Sequence, residues 1–135
     1  MCSSDLVVPA DHPCAALPGP VPLSSLHEYN LPLVTVDTTV HGRVAQLLPD
    51  LEVKQVRSAT HALTLVASGL GMSICQDGVR HIAPPGVAFL DLEGNPFHMD
   101  ATIAWNKDAA PSPWWEKFIH QLRIFVQQHT TRDEP

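Results

Sequence analysis

The stretch LVASGLGMSI, residues 65–74, decides the fold. It reads as the apolar end of a helix, a glycine stop and a strand that restarts almost at once. Gly69 can take the left-handed conformation that closes a helix, and Gly71 can turn the chain into the next strand. So tight a helix-to-strand junction belongs to an open α/β sheet.

Upstream of this junction, Ala62, Leu63, Leu65, Val66 and Ala67 leave little polar face, which predicts a buried helix capped by Ser58 or Thr60. Leu51–Arg57 reads as the strand before it. An earlier helix starts at the capping run Asp37-Thr38-Thr39 and carries Val40, Val44, Leu47 and Leu48 on one face, before Pro49 ends it. Leu31–Val36 is the preceding strand. The middle of the chain is therefore βαβαβ, which calls for a parallel sheet with right-handed crossovers.

Further out, Asp5–Pro9 is a short strand. Pro13, Pro18, Pro20 and Pro22 exclude regular helix across residues 10–22, and Ser24–Tyr29 has room for one helical turn. Met72–Cys75 is a brief strand and Asp77–Ile82 a helical turn. Val87–Leu92 is a strand, and Gly94-Asn95-Pro96 a turn. His98–Trp105 alternates as a strand, with Met99, Ala101, Ile103 and Trp105 on one face. Ser112 and Pro113 then start a helix whose broad stripe is Trp114, Trp115, Phe118, Ile119, Leu122, Phe125 and Val126. A polar, frayed tail is expected from Gln127 onward.

Composition narrows the function. The chain has 135 residues, a formal charge of −6 and 44% apolar content, as suits one ordinary folded domain. No Lys/Arg cluster offers the footprint that phosphate contact needs. No apolar run is long enough to span a bilayer. The start, MCSSDLVVP, lacks the basic and apolar regions of a secretion signal, so the cytoplasm is the expected location. The three cysteines form no paired motif, and free thiols are expected.

Four segments in order carry a family resemblance. VVPADHP (7–13), VPLSSL (21–26), LVASGLGMSI (65–74) and IAWNKD (103–108) with the helix bearing FIHQL together resemble the effector-binding domain of LysR-type transcriptional regulators. The resemblance covers nearly the whole chain. It implies an α/β fold of the periplasmic-binding-protein-like type 2 kind: a lobe with an open, mostly parallel sheet and flanking helices, plus the closing strand and helix of the other lobe. It further implies a fragment without the winged helix-turn-helix or most of the first lobe. Residues 1–19 would form a hinge strand and loop, 20–85 the second effector-binding lobe, 86–97 a return hinge strand and turn, 98–129 the closing strand and C-terminal helix, and 130–135 the frayed tail. One departure stands out: Cys75-Gln76-Asp77 occupies the place after the glycine-bounded strand where the family often has proline.

The resemblance implies a small-molecule effector, a metabolite and by expectation an anion, held in a cleft between lobes, with DNA bound only through the missing N-terminal domain. The two helix caps follow successive strands and open at one sheet edge, where Thr38, Thr39, His41, Ser58 and Thr60 are candidate effector-binding residues as well as caps. No metal ligand set, cofactor motif or catalytic constellation is present: the eight histidines are scattered, and no nucleophile elbow or phosphate loop occurs. Two other readings stay open, a stand-alone solute-binding lobe and a small α/β enzyme using Cys75 as nucleophile. The aromatic helix face predicts self-association. The acidic balance yields a direct expectation. In a gel-shift titration at physiological salt the chain should leave duplex DNA unshifted, and tight, salt-sensitive binding would contradict this.

Overall fold

The computed structural model describes residues 4–97, 103–106, 108–109 and 112–130. The chain divides after residue 100 into two compact units.

The first unit is built on a five-stranded sheet. Its strands are β1 (Ser4–Pro9), β2 (Leu33–Thr35), β3 (Val53–Gln55), β4 (Met72–Gln76) and β5 (Val87–Asp91), in the order β3-β2-β4-β1-β5. β2 runs parallel to β3 and to β4, whereas β1 lies antiparallel between β4 and β5. The parallel βαβαβ core thus has the expected form. β1 and β5, assigned from sequence to hinge segments, are both members of this sheet.

Two helices make the crossovers. Helix α1 (Thr38–Leu47) joins β2 to β3, and α2 (Ala59–Ala67) joins β3 to β4. These connections travel in opposite directions across the sheet. A common right-handedness therefore places the helices on opposite faces. The core has that division: Val40 and Val44 of α1 pack with Leu6, Val8, Leu33, Met72 and Ile74, while Leu63 and Val66 of α2 pack with Val7 and Cys75. Alternation along β1 sends Leu6 and Val8 to one side and Val7 to the other, and all three are fully buried. Three 3₁₀ turns, Pro13–Ala16, Leu23–Tyr29 and Asp77–Ile82, connect the rest.

The junction at 65–74 works by two different glycine effects. Gly69 has φ +74°, and the N–H groups of Gly69 and Leu70 donate to the carbonyls of Val66 and Leu65, both at 3.0 Å. This is the paired bond pattern of a Schellman cap. Gly71, by contrast, needs no left-handed backbone. A Cβ there would lie 2.9 Å from Val34 Cγ2 and 3.0 Å from the carbonyl oxygen of Pro32. Its role is close approach of β4 to β2, not the turn expected from sequence. Met72 N donates to Pro32 O beside it at 2.9 Å.

In the second unit, α3 (Pro113–Thr130) begins where expected, with Trp115 N donating to Ser112 Oγ at 3.2 Å. It continues through Thr130, beyond the point where fraying was expected; Gln127 and Gln128 are good helix formers. Trp114 stacks on Phe118 with ring centroids 5.7 Å apart, and Trp105 meets Trp115 edge to face. Of the expected strand His98–Trp105, residues 98–102 lie outside the described residues, and Ile103–Asn106 has no regular structure. Among the described residues of this unit there is no strand to pair with it, and a strand without a partner leaves its backbone bonds unmade.

The glycine assignment sets a test. Gly71→Ala should lower unfolding free energy by about 1–3 kcal/mol through overpacking, and Gly69→Ala by about 1–2 kcal/mol through the left-handed penalty. Urea denaturation checks both. A Gly71→Ala chain as stable as the parent would refute the close-approach account.

Candidate functional site

In an open α/β sheet, two neighbouring parallel strands whose connections leave in opposite directions create a crevice at their carboxyl ends. β2 and β4 are such a pair. From β2 the chain goes outward to β3; from β4 it goes the other way to β5. A cavity of about 220 Å³ opens there. It is lined by Val36 and Asp37 after β2, Val40 of α1, Ala59 of α2, Ile74, Cys75 and Gln76 at the end of β4, Val79 of the following turn, and Ser4.

The caps of both helices meet at this edge. Asp37 caps α1: its Oδ1 accepts from Thr39 N at 2.6 Å and Val40 N at 3.2 Å. Ser58 caps α2, its Oγ accepting from His61 N at 3.2 Å. An aspartate before a helix already supplies the negative charge that a helix N-terminus favours. Two N–H groups of α1 that could have held an anion are therefore taken by the chain's own carboxylate.

None of the five polar residues singled out from sequence lines the cavity wall, yet each flanks a residue that does or sits in the same first turn. Thr38 and Thr39 are exposed beside Asp37 and Val40, and Ser58 and Thr60 are exposed on either side of Ala59. His41 is half-buried, its Nδ1 3.4 Å from Thr35 Oγ1. The wall residues themselves escaped the sequence reading because valines and isoleucines at strand ends look like ordinary core. The switch-point rule applied to β2 and β4 would have found them.

Cys75 is 7% exposed and forms part of this wall. Burial pushes its thiol above the ordinary range, against the lowering effect of the Ser73 hydroxyl 3.4 Å away. It is a neutral thiol, unlike an activated nucleophile. Cys14 forms a closer pair, with its Sγ 2.8 Å from His12 Nδ1. His12 Nε2 lies 3.1 Å from the Tyr29 carbonyl oxygen, and Cys14 N donates to His12 Nδ1 at 3.2 Å. Burial raises the Cys14 thiol too, so this pair fastens a turn. Among the described residues no cluster of three metal-ligating side chains occurs. No described helix is long and apolar enough to cross a membrane.

Next to the cavity, Arg80 gathers acids. Its Nη2 and Nε lie 2.7 and 2.9 Å from Asp5 Oδ2, its Nε 3.0 Å from Asp77 Oδ1, and its Nη2 3.9 Å from Asp91 Oδ1. The guanidinium also sits 5.0 Å above the Phe89 ring. The Asp5 side chain is only 4% exposed. Desolvation raises its pKa above 3.8, outweighing the hydrogen bond and charge of Arg80, which lower it.

With this geometry the comparisons agree. The profile of the family described as LysR substrate binding domain matches residues 3–126. The chain belongs to that family, and its fold is of the periplasmic-binding-protein-like type 2 kind. The family is that of LysR-type transcriptional regulators. Among solved structures, the effector-binding domain of QuiR in complex with shikimate is 16% identical with a TM-score of 0.66, matched over 95% of this chain and 63% of that one. CbnR, a LysR family transcriptional regulator, is 20% identical with a TM-score of 0.66, over 90% of this chain and 44% of that one. A variant of OxyR from Corynebacterium glutamicum is 21% identical with a TM-score of 0.62, over 94% and 42%. The chain thus spans less than two thirds of the length of each. No curated protein matches the chain.

The Asp5 environment predicts a pH effect. A carboxyl whose folded pKa is raised stabilises the fold fully below its unfolded value of 3.8 and loses that contribution as pH rises through the folded value. Arg80→Met removes the groups that hold the folded value down. The window of loss should then extend to higher pH, and melting temperature should fall more between about pH 4 and 7 than in the parent. Parallel melting curves for the two proteins would contradict this.

Proposed function

We propose that the cavity between the carboxyl ends of β2 and β4 is an effector site, and that this chain senses a small metabolite on behalf of a transcriptional regulator. The observation that carries the reading is the cavity's place: it lies at the topological switch point of a LysR substrate binding domain. The proposed ligand carries an anionic group seated at the N-terminus of α2, where Ser58 and Thr60 offer hydroxyls and the first turn offers free N–H groups. Thr38, Thr39 and His41 supply polar contacts at the α1 side. Occupancy would bias the arrangement of an attached DNA-binding domain, the ligand acting only through its different affinity for the two arrangements.

The role is binding rather than catalysis. The neutral Cys75 thiol, paired with a serine hydroxyl, gives little support to a nucleophilic enzyme. Residues 20–85 are proposed as the effector-binding lobe, flanked by hinge segments at 1–19 and 86–97. Residues 98–129 are proposed to complete the other lobe. Trp114, 69% exposed on α3, supports self-association through that helix face. A cytoplasmic location accords with this role.

The test is calorimetry with small carboxylates such as shikimate and benzoate. Thr39→Val and Thr60→Val should each weaken binding by about 0.5–1.5 kcal/mol. Unchanged affinity in both variants would move the site elsewhere.

A further inference from the structure

One side of the cavity is supplied by the turn that follows β4. That turn, Asp77–Ile82, has no buried residue and no side-chain cap. Its half-buried Val79 packs against the cluster of Val7, Leu63, Val66 and Cys75. Arg80 adds a hold of another kind. Its Nη2 and Nε both reach Oδ2 of Asp5, at 2.7 and 2.9 Å. Asp5 belongs to β1, between β4 and β5, and its side chain is only 4% exposed. A carboxylate so placed cannot trade its partner for bulk water, so it draws the guanidinium, and the turn with it, onto the sheet. The contacts with Asp77 and Asp91 are more exposed and count for less.

The members of this ion cluster adjoin the cavity in sequence. Ser4 stands next to Asp5, Gln76 next to Asp77 and Val79 next to Arg80, and Ser4, Gln76 and Val79 all line the cavity. Arg80 itself is not a lining residue. One guanidinium thus ties β1 to the turn after β4, the segments that form this side of the wall.

We infer that Arg80 is a positioning residue of the effector site: through Asp5 it fixes the wall made by Ser4, Gln76 and Val79 without lining the cavity. This rests on the cavity being the effector site. It adds that the shape of the site is held by an ion pair behind its wall, so that a substitution outside the cavity changes binding.

Cys75 reports on this wall, because it lines the cavity and belongs to the cluster on which Val79 packs. Cys14, buried in the other cluster, is the reference. Cleavage before aspartate separates the two into peptides 11–36 and 50–76, so each can be followed by peptide mass in the full chain. Iodoacetamide is compared with a bulky fluorescein iodoacetamide, since the ratio of their rates at one thiol cancels any change in its acidity. Arg80→Met leaves Asp5 buried without its partner, which lowers stability by itself. Arg80→Met combined with Asp5→Asn removes that buried charge as well. In both variants the preference of Cys75 for the small reagent should fall about fivefold or more, while that of Cys14 stays within about twofold of the parent's. A preference at Cys75 that returns to the parent's value in the double variant would show that Arg80 only satisfies Asp5, and would overturn the positioning role. An equal fall at Cys14 in the double variant would mark general loosening and overturn it too. Shikimate and benzoate, titrated by calorimetry, should bind the double variant about fivefold or more weakly than the parent. Equal affinity for a carboxylate that binds the parent would overturn the role in binding. If neither binds the parent while the change at Cys75 is present, the effector site falls and the hold of Arg80 on the wall stands.

Discussion

The strand pair that bounds the cavity depends on the close approach of the chain entering β4 to β2 at Gly71, where no side chain could stand between Val34 and the Pro32 carbonyl without displacing them. The contact is reinforced two residues on, where the buried Ser73 hydroxyl donates to Val34 O at 2.7 Å. Because these two parallel strands are neighbours, and because their connections then part to either side, their carboxyl ends cannot be closed over by one crossover. The crevice is a consequence of strand order, and the side chains at its edge are whatever the chain places just after β2 and at the end of β4.

The second constraint is β1. Inserted antiparallel between β4 and β5, it is buried on both faces and carries Asp5 into the sheet. A buried carboxylate without a partner would be costly, and Arg80 supplies that partner. The guanidinium that satisfies Asp5, and that lies beside the cavity in sequence, is thereby spent on the fold and is not available to attract an anion.

What could be read from the sequence was what local chemistry dictates. Asp37 and Ser58 were recognisable as caps, Pro113 as a helix start and Gly69 as a left-handed stop, since each acts on its own few residues. Partners in space were not legible. β1 was recognised as a strand, but its place between β4 and β5 depends on residues some seventy to ninety positions away. Gly71 reads locally as a turn glycine, because steric approach by a distant strand leaves no local trace. Ile103 and Trp105 alternate as a strand would, yet periodicity does not provide a neighbour to pair with. Sequence reasoning points to the carboxyl ends of the parallel strands, the edge where the cavity opens, but it favours hydroxyls and an imidazole there. The wall is instead mostly apolar, Val36, Val40, Ala59, Ile74 and Val79, with Ser4, Asp37, Cys75 and Gln76 among them, and the valines and isoleucine read as core and Asp37 as a cap.

That capping acid bears a second consequence of its position. A neutral cap such as Ser58 satisfies a backbone donor and leaves the partial positive charge at the start of its helix exposed to whatever lies beyond. Asp37 satisfies two donors and also replaces that partial charge with a full negative one. The two helices that border the cavity therefore present opposite polarity, although their backbones are oriented alike toward it. Exchanging serine for aspartate at a cap changes stability little, because both are strong caps. It places a full negative charge at the edge of the cavity, where a serine cap places none. In a fold of this kind, ligand charge can be set at the caps with the packing of the sheet left untouched.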